Sequence, residues 1–542
     1  MPLAVPSGYD PNSLTPAIAV GIELGVGVRS VVGARSLLLL GNMITAPIAR
    51  TVGATTYTTA AGTATVGQRT EVSSPEDADA KFGSGSPLAL MARAAFAQSK
   101  RASIYAVPVA EGGSAVKATA TLLFAGTVTA AGVVRVVVAG RRTAEVPVAA
   151  AATAASVATE VAHAINRLTN APFTATVSSA TVTLAAKQGG PRGNNLAIRC
   201  EYTATGGTVA LNGGTAGTLV TGRFGAGTAT AGSVTDDITA ALAAVASGQY
   251  FIAVEADDAT NLAALRTHIN TYVAITERKR QQGVAAFTSL SVANAISRAQ
   301  GLNAARIQAV CYRDASSGGT VDPFAPCTGE LAAQVAAGRL YGDGAVGGGV
   351  GRVKGELAYP AANLNGLMLA SVPAQELQAA QFLGTEVEQL LQGGVSPVVP
   401  SARNPGFCEV VRCITTYSLD ASNAPTFAVK STSKVTVADY TAQAVEARIA
   451  AEYPNKNLAP EPENPAQAPT HEDIIYPSMV RSSILTELFA LERAGLLSNV
   501  EANADAVIVE VSPSNPELLL ASIPADVVDH FNSAAMRLAQ VG

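Results

Sequence analysis

The 542-residue chain has no tryptophan, four histidines and only 5% aromatic residues. Charged residues make up 14%, against about 25% in an average globular protein. A net charge of -5 leaves no basic excess to neutralise a phosphate backbone, which excludes nucleic acid as the main partner. Long apolar runs are missing too. Ser36–Ile44 is short, and Glu145–Ile165 is diluted by polar residues, so neither makes a span of about 20 residues. The opening MPLAVPSGYDPNS lacks the basic start and apolar centre of a secretory signal. The expectation is a soluble protein made in the cytosol, with no membrane partner.

Metal-ligand and disulfide spacings are also lacking. Cys200, Cys311, Cys327, Cys408 and Cys413 contain no CxxC pair. They are expected to be reduced, mostly buried thiols. As a minor alternative, all five are candidates for cross-links between subunits outside a reducing cytosol. Cys408 and Cys413 lie five apart in GFCEVVRCITTY, which reads as one strand, so they should face opposite ways.

What is present is a hydrophobic fraction of 48%, with 49 glycines and 28 prolines. That composition argues against disorder, and the length suggests about three to four domains. A surface poor in charge suggests cover by neighbouring molecules, an Ala/Gly-rich genome composition being the alternative.

Along the chain, residues 1–25 form an arm and linker strand. In IAVGIELGVGV, Ile18, Val20, Ile22 and Leu24 share one face. SLLLLGNM, helix starts at Ser74-Pro75 and Ser86-Pro87, and ASIYAVPVA outline an α/β core over 26–111. Short Val/Thr strands and one Ala-rich helix, roughly 150–168, mark a β-rich inserted domain over 112–225. QYFIAVEA, a helix running on towards ERKR, GVAAFTS, RIQAVCY and TGELAAQVAAGRLY resume the core over 226–358. A C-terminal α+β domain over 359–515 contains the helix QELQAAQFLGTEVEQLLQ, a helix from Val437 to Tyr453 and MVRSSILTELFALERAG. Residues 516–542 form a second arm, ending in a short apolar strand with Met536, Leu538 and Val541. The fold class is therefore multidomain α/β: a sheet split by an insertion, followed by an α+β domain.

Catalytic signals fail on context. GDGAVG, with Gly342, Gly344 and Gly347, follows a helix, whereas a dinucleotide site needs a strand before it and a helix after. No P-loop or GxSxG motif occurs, and the histidines are scattered. ERKR (277–280) suits a helix C-terminus, and Glu386 and Glu388 face different sides of a helix. No catalytic residue, cofactor site or metal site is assigned, and an enzyme is not expected.

Several passages together resemble the contractile-tail sheath proteins of Mu-like phages. They are ARSLLLLGNMI, DAKFGSGSPLALMARAAF, ASIYAVPVAEG, VTLAAKQGGPRGNNLAIR, PAANLNGLMLASVP, FLGTEVEQLLQGGVSPV, VVRCITTYS and YPSMVRSSILTELFALERAGLLSNVEAN. The resemblance implies a structural subunit stacked as hexameric rings in a helical assembly around a tail tube. Contraction would drive the tube through the host envelope, with baseplate and tail-terminator proteins as further partners. It implies a virion location, with assembly in the host bacterial cytoplasm. The two chain ends would add strands to neighbouring C-terminal domains, completing a sheet there. Arg448, Arg481 and Arg493 are candidate tube contacts. A sheath of a tailocin or secretion-type injection machine is one alternative; a nucleotide-binding α/β enzyme is another, of a different class.

Overall fold

The computed structural model describes residues 35–530, apart from 101, 141, 229–235, 246–247, 249, 275, 289, 314–324, 344–352, 376–380, 427, 463–470 and 472. The arm strands predicted at Ile18, Val20, Ile22 and Leu24 and at Met536, Leu538 and Val541 lie outside the described residues.

SLLLLGN has six consecutive buried residues, Leu37 to Asn42, because both of its faces are covered. Leu37 and Leu39 point into one core with Phe251 and Leu331, and Leu38 and Leu40 into another with Ile252 and Leu265. This strand, Ser36–Asn42, lies in a nine-stranded sheet between Ile104–Val109 and Tyr250–Val254. Six strands run parallel, in the order Val395–Pro400, Ile307–Tyr312, Gln282–Phe287, Tyr250–Val254, Ser36–Asn42 and Ile104–Val109. Antiparallel pairings close both margins: Thr70–Val72 on one side, and Phe407–Val410 on the other, which in turn pairs antiparallel with Leu367–Pro373. Parallel strands buried on both faces explain the unbroken apolar runs.

Helices cover each face. Pro75–Phe82, Pro87–Gln98 and Thr328–Tyr341 pack on one; Ala259–Val273, Val292–Leu302 and Gly384–Gln392 pack on the other. The two Ser-Pro starts behave as expected. Ser74 Oγ accepts from Asp77 N and Ser86 Oγ from Ala89 N, with proline in the first turn where no amide is needed.

Between Ile104–Val109 and Tyr250–Val254 the chain leaves the sheet and builds two four-stranded antiparallel sheets. One contains Lys117–Ala125 and Thr181–Gly189, the other Gly132–Val138 and Ala197–Tyr202. Helix Ala154–Asn166 seals a separate core with Phe124, Val136, Val161, Leu184 and Ile198. Towards the C-terminus, Thr432–Glu452 and Pro477–Arg493 pack through Val437, Val445, Val480, Ile484 and Leu488 into a fourth core. The architecture is mixed α/β with several sheets.

Three details depart from the sequence reading. Leu367–Pro373, Val395–Pro400 and Phe407–Val410, placed there in the C-terminal domain, are strands of the nine-stranded sheet. The strand containing Cys408 stops at Val410, and Cys413, beyond it, is buried in the same core as Cys408. Of the helix expected over 375–392, residues 376–380 lie outside the described residues, and the described helix begins at Gly384. It starts there because Glu386 accepts from the Leu383 amide at 2.7 Å while pairing with Arg313 at 2.6 Å.

Candidate functional site

In an open parallel sheet, ligands bind beyond the strand C-termini where the strand order reverses. Here that point lies between Ser36–Asn42 and Tyr250–Val254: the chain goes to Ile104–Val109 on one side and to Gln282–Phe287 on the other. A crevice there is lined by Asn42, Pro87, Glu255, Thr328 and Arg192. Its volume is about 60 Å³, room for a few waters and far below the roughly 300–1,000 Å³ of small-molecule sites.

The inserted region fills the space. Its turn Pro191–Asn195 brings the Arg192 guanidinium to Asp236 at 3.0 Å, Glu255 at 3.2 Å and Asn42 Oδ1 at 3.3 Å. Asn42 N donates to Glu255 at 2.8 Å, and its Nδ2 donates to Asp236 at 2.8 Å. The acids outnumber the arginine. Burial pushes the Glu255 carboxyl above its ordinary value, and the Arg192 charge only partly opposes it. Asp257 shifts upward for the same reason, opposed by Arg192 and Arg298. The arrangement is a charged joint between the insertion and the sheet.

The opposite end of the sheet carries a second joint, rich in arginine. Asp439, on helix Thr432–Glu452 and fully buried, meets Arg35 at 2.6 Å and Arg306 through two bonds of 2.7 and 2.9 Å. Arg35 precedes the strand Ser36–Asn42 and Arg306 the strand Ile307–Tyr312, so the helix is tied to both strand starts. Beside them Arg339 pairs with Glu356 at 3.1 Å and donates to Gln282 at 2.6 Å, while Thr436 donates to Glu356 at 2.8 Å. Arg280 grips Glu446 with bonds of 2.7 and 3.1 Å. Both Arg35 and Arg339 stack on Phe251, at 5.3 and 4.6 Å from the ring centre. Burial alone would raise the Asp439 pKa, but Arg306 and Arg35 hold it below the ordinary carboxylate value. ERKR is therefore not a helix-end feature. The preceding helix ends at Val273, and Arg280 is a buried ion-pair partner.

The other candidate residues are dispersed. Arg448 sits between the two C-terminal helices, 2.6 Å from Glu452 and 3.3 Å from Glu487. Arg481 donates to the Val507 and Ala504 carbonyls at 2.7 and 2.8 Å, and Arg493 is exposed in the last turn of its helix. None of the five cysteines is in a disulfide; Cys200, Cys311, Cys408 and Cys413 are buried and Cys327 is half-buried. Burial pushes the Cys200, Cys311 and Cys413 thiols up to about 12. Gly342 ends helix Thr328–Tyr341 with φ of 83°, while Gly344 and Gly347 lie outside the described residues. Among the described residues no group of three or more His, Cys, Asp or Glu is placed to hold a metal ion, and no helix is long and apolar enough to cross a membrane.

No family model matches the chain. Over 143 residues it is 33% identical to the Mu-like prophage FluMu tail sheath protein of Haemophilus influenzae, a stretch covering 26% of this chain and 29% of that protein. In that stretch the chain is homologous to a phage tail sheath protein. Among solved structures, the sheath tail protein of Listeria innocua is similar over 93% of this chain and 97% of its own, with 13% identity and a TM-score of 0.41. A chain of the anti-feeding prophage baseplate is similar over 97% of this chain and 99% of its own, with 10% identity and a TM-score of 0.42.

Proposed function

We propose that this protein is the structural subunit of a contractile tail sheath, and that its work is mechanical. The local identity to the Mu-like prophage sheath protein carries this reading. Subunits assemble as hexameric rings stacked around a tail tube, and contraction drives the tube through the host envelope. The partners are further copies of the chain, the tube protein, and the baseplate and tail-terminator proteins; the location is the virion tail.

The fold offers a physical basis for strand exchange. Ile508–Val511 and Leu519–Ser522 form a two-stranded sheet of their own, and Ile508 is 46% exposed. Two strands alone are marginal, and added strands would satisfy their open edges. Residues 18–24 and 536–541 of neighbouring copies are the proposed additions. Of the three arginines considered as tube contacts, exposed Arg493 is best placed, since Arg448 and Arg481 already bind within the chain. Cys327, with partial access to solvent, is the best placed of the five for a cross-link between copies.

Negative-stain electron microscopy at rising concentration, with and without tube protein, tests the proposal. The full chain should form tubes or rings, and a variant lacking residues 1–25 should not. Small discrete particles from the full chain, even on a tube template, would refute it.

A further inference from the structure

We propose that a cavity at the seam between the core and the inserted region binds a small phosphate-bearing molecule. The cavity, about 500 Å³, lies beside the hairpin Ile48–Val52 and Thr55–Thr59 and is lined by Arg50, Tyr57, Asp79, Arg167, Thr169 and Lys187. Its volume falls within the usual range of small-molecule sites, about 300–1,000 Å³.

Three cations from three separate elements face it, in a chain otherwise poor in charge. Lys187 is 3% exposed, and its ammonium group is fixed by the Ser84 and Thr169 carbonyls, both at 2.9 Å. Arg50 is held through Nε to Thr174 Oγ1 at 3.2 Å and through Nη1 to the Ala49 carbonyl at 2.9 Å; Nη2 takes no part in these bonds. Arg167, exposed, caps the C-terminal end of helix Ala154–Asn166. The lining carboxylate, Asp79, is gripped by both Nε and Nη2 of Arg93, so its charge is largely offset. The lining is thus net positive.

A phosphate group offers more acceptor oxygens than a carboxylate and suits donors converging from different directions. Next to the cations, the Tyr57 ring, fixed by a 2.8 Å hydrogen bond between its hydroxyl group and His163 Nδ1, and the buried Phe173 supply an apolar wall. That wall favours a phosphate carried on an organic body. A ligand here would bridge the hairpin and residues 166–174, stiffening the seam.

The test is calorimetric titration of the full chain with inorganic phosphate, adenosine monophosphate and glutarate, with thermal unfolding alongside. Both phosphates should bind and raise the melting temperature, the nucleotide more tightly, and glutarate more weakly than either. Arg50→Gln and Arg167→Gln should each weaken phosphate binding about tenfold, a difference of about 1.4 kcal/mol. Arg167 is exposed, so its variant keeps the test decisive if Arg50→Gln misfolds. Absence of binding by both phosphates, tighter binding of glutarate, or unchanged affinity in the folded variants would overturn the proposal.

Discussion

The two ends of the central sheet are joined to the rest of the molecule by opposite electrostatic designs. At the strand C-termini one arginine, Arg192, serves Asp236 and Glu255, with Asp257 close by. At the strand N-termini Arg35 and Arg306 converge on one carboxylate, Asp439, with Arg280–Glu446 and Arg339–Glu356 alongside. Acid-rich burial raises carboxyl pKa values; arginine-rich burial lowers them. Glu255 and Asp257 therefore contribute stability that is fully present below their ordinary values and lost as pH rises through their raised folded values. Asp439 contributes stability present above the ordinary carboxylate value and lost as pH falls through its depressed folded value. Mild acid should act on the joint to the inserted region and spare the joint to the C-terminal helices.

The largest effect should come from Asp439→Ala. Two arginines at 5% side-chain exposure or less would lose their carboxylate, at a cost of about 3–5 kcal/mol in urea unfolding. Arg192→Ala should cost less, about 1–3 kcal/mol, because Glu255, whose pKa is already raised by burial, can escape its burial penalty by taking up a proton. Equal costs would erase the proposed difference between the ends. Arg448→Ala, at a half-exposed pair with Glu452 and Glu487, should cost only about 0.2–1 kcal/mol and leave tube or ring formation intact. Arg493→Glu should leave the unfolding midpoint unchanged while weakening assembly on a tube template, as measured by co-sedimentation.

Much of the sheet was legible because its signals are local. The apolar run SLLLLGN, the Ser-Pro caps at Ser74 and Ser86, and the shift to Val/Thr strands each follow from spacing along the chain. The joints were not legible. Arg35 and Asp439 are 404 positions apart, and no short motif announces their pairing. Arg192, in GGPRGNN, has the surroundings of an ordinary turn, and its role depends on where that turn docks. Arg280 was misplaced because the helix stops at Val273, before ERKR. That the strands between 367 and 410 join the nine-stranded sheet was not legible, because an antiparallel return onto a sheet margin has the same local pattern as a strand of a separate unit. Arg481 stands in the sequence as a candidate tube contact, and no local signal shows that the Ala504 and Val507 carbonyls, more than 20 positions on, hold it.

The most direct test of the two-joint account is the urea midpoint of wild type, Asp439→Ala and Arg192→Ala at about pH 7 and about pH 5. The account predicts that the Arg192→Ala deficit shrinks on acidification, because the uncompensated Glu255 protonates, while the Asp439→Ala deficit stays constant. An Arg192→Ala deficit independent of pH, or an Asp439→Ala deficit that shrinks over the same interval, would contradict it.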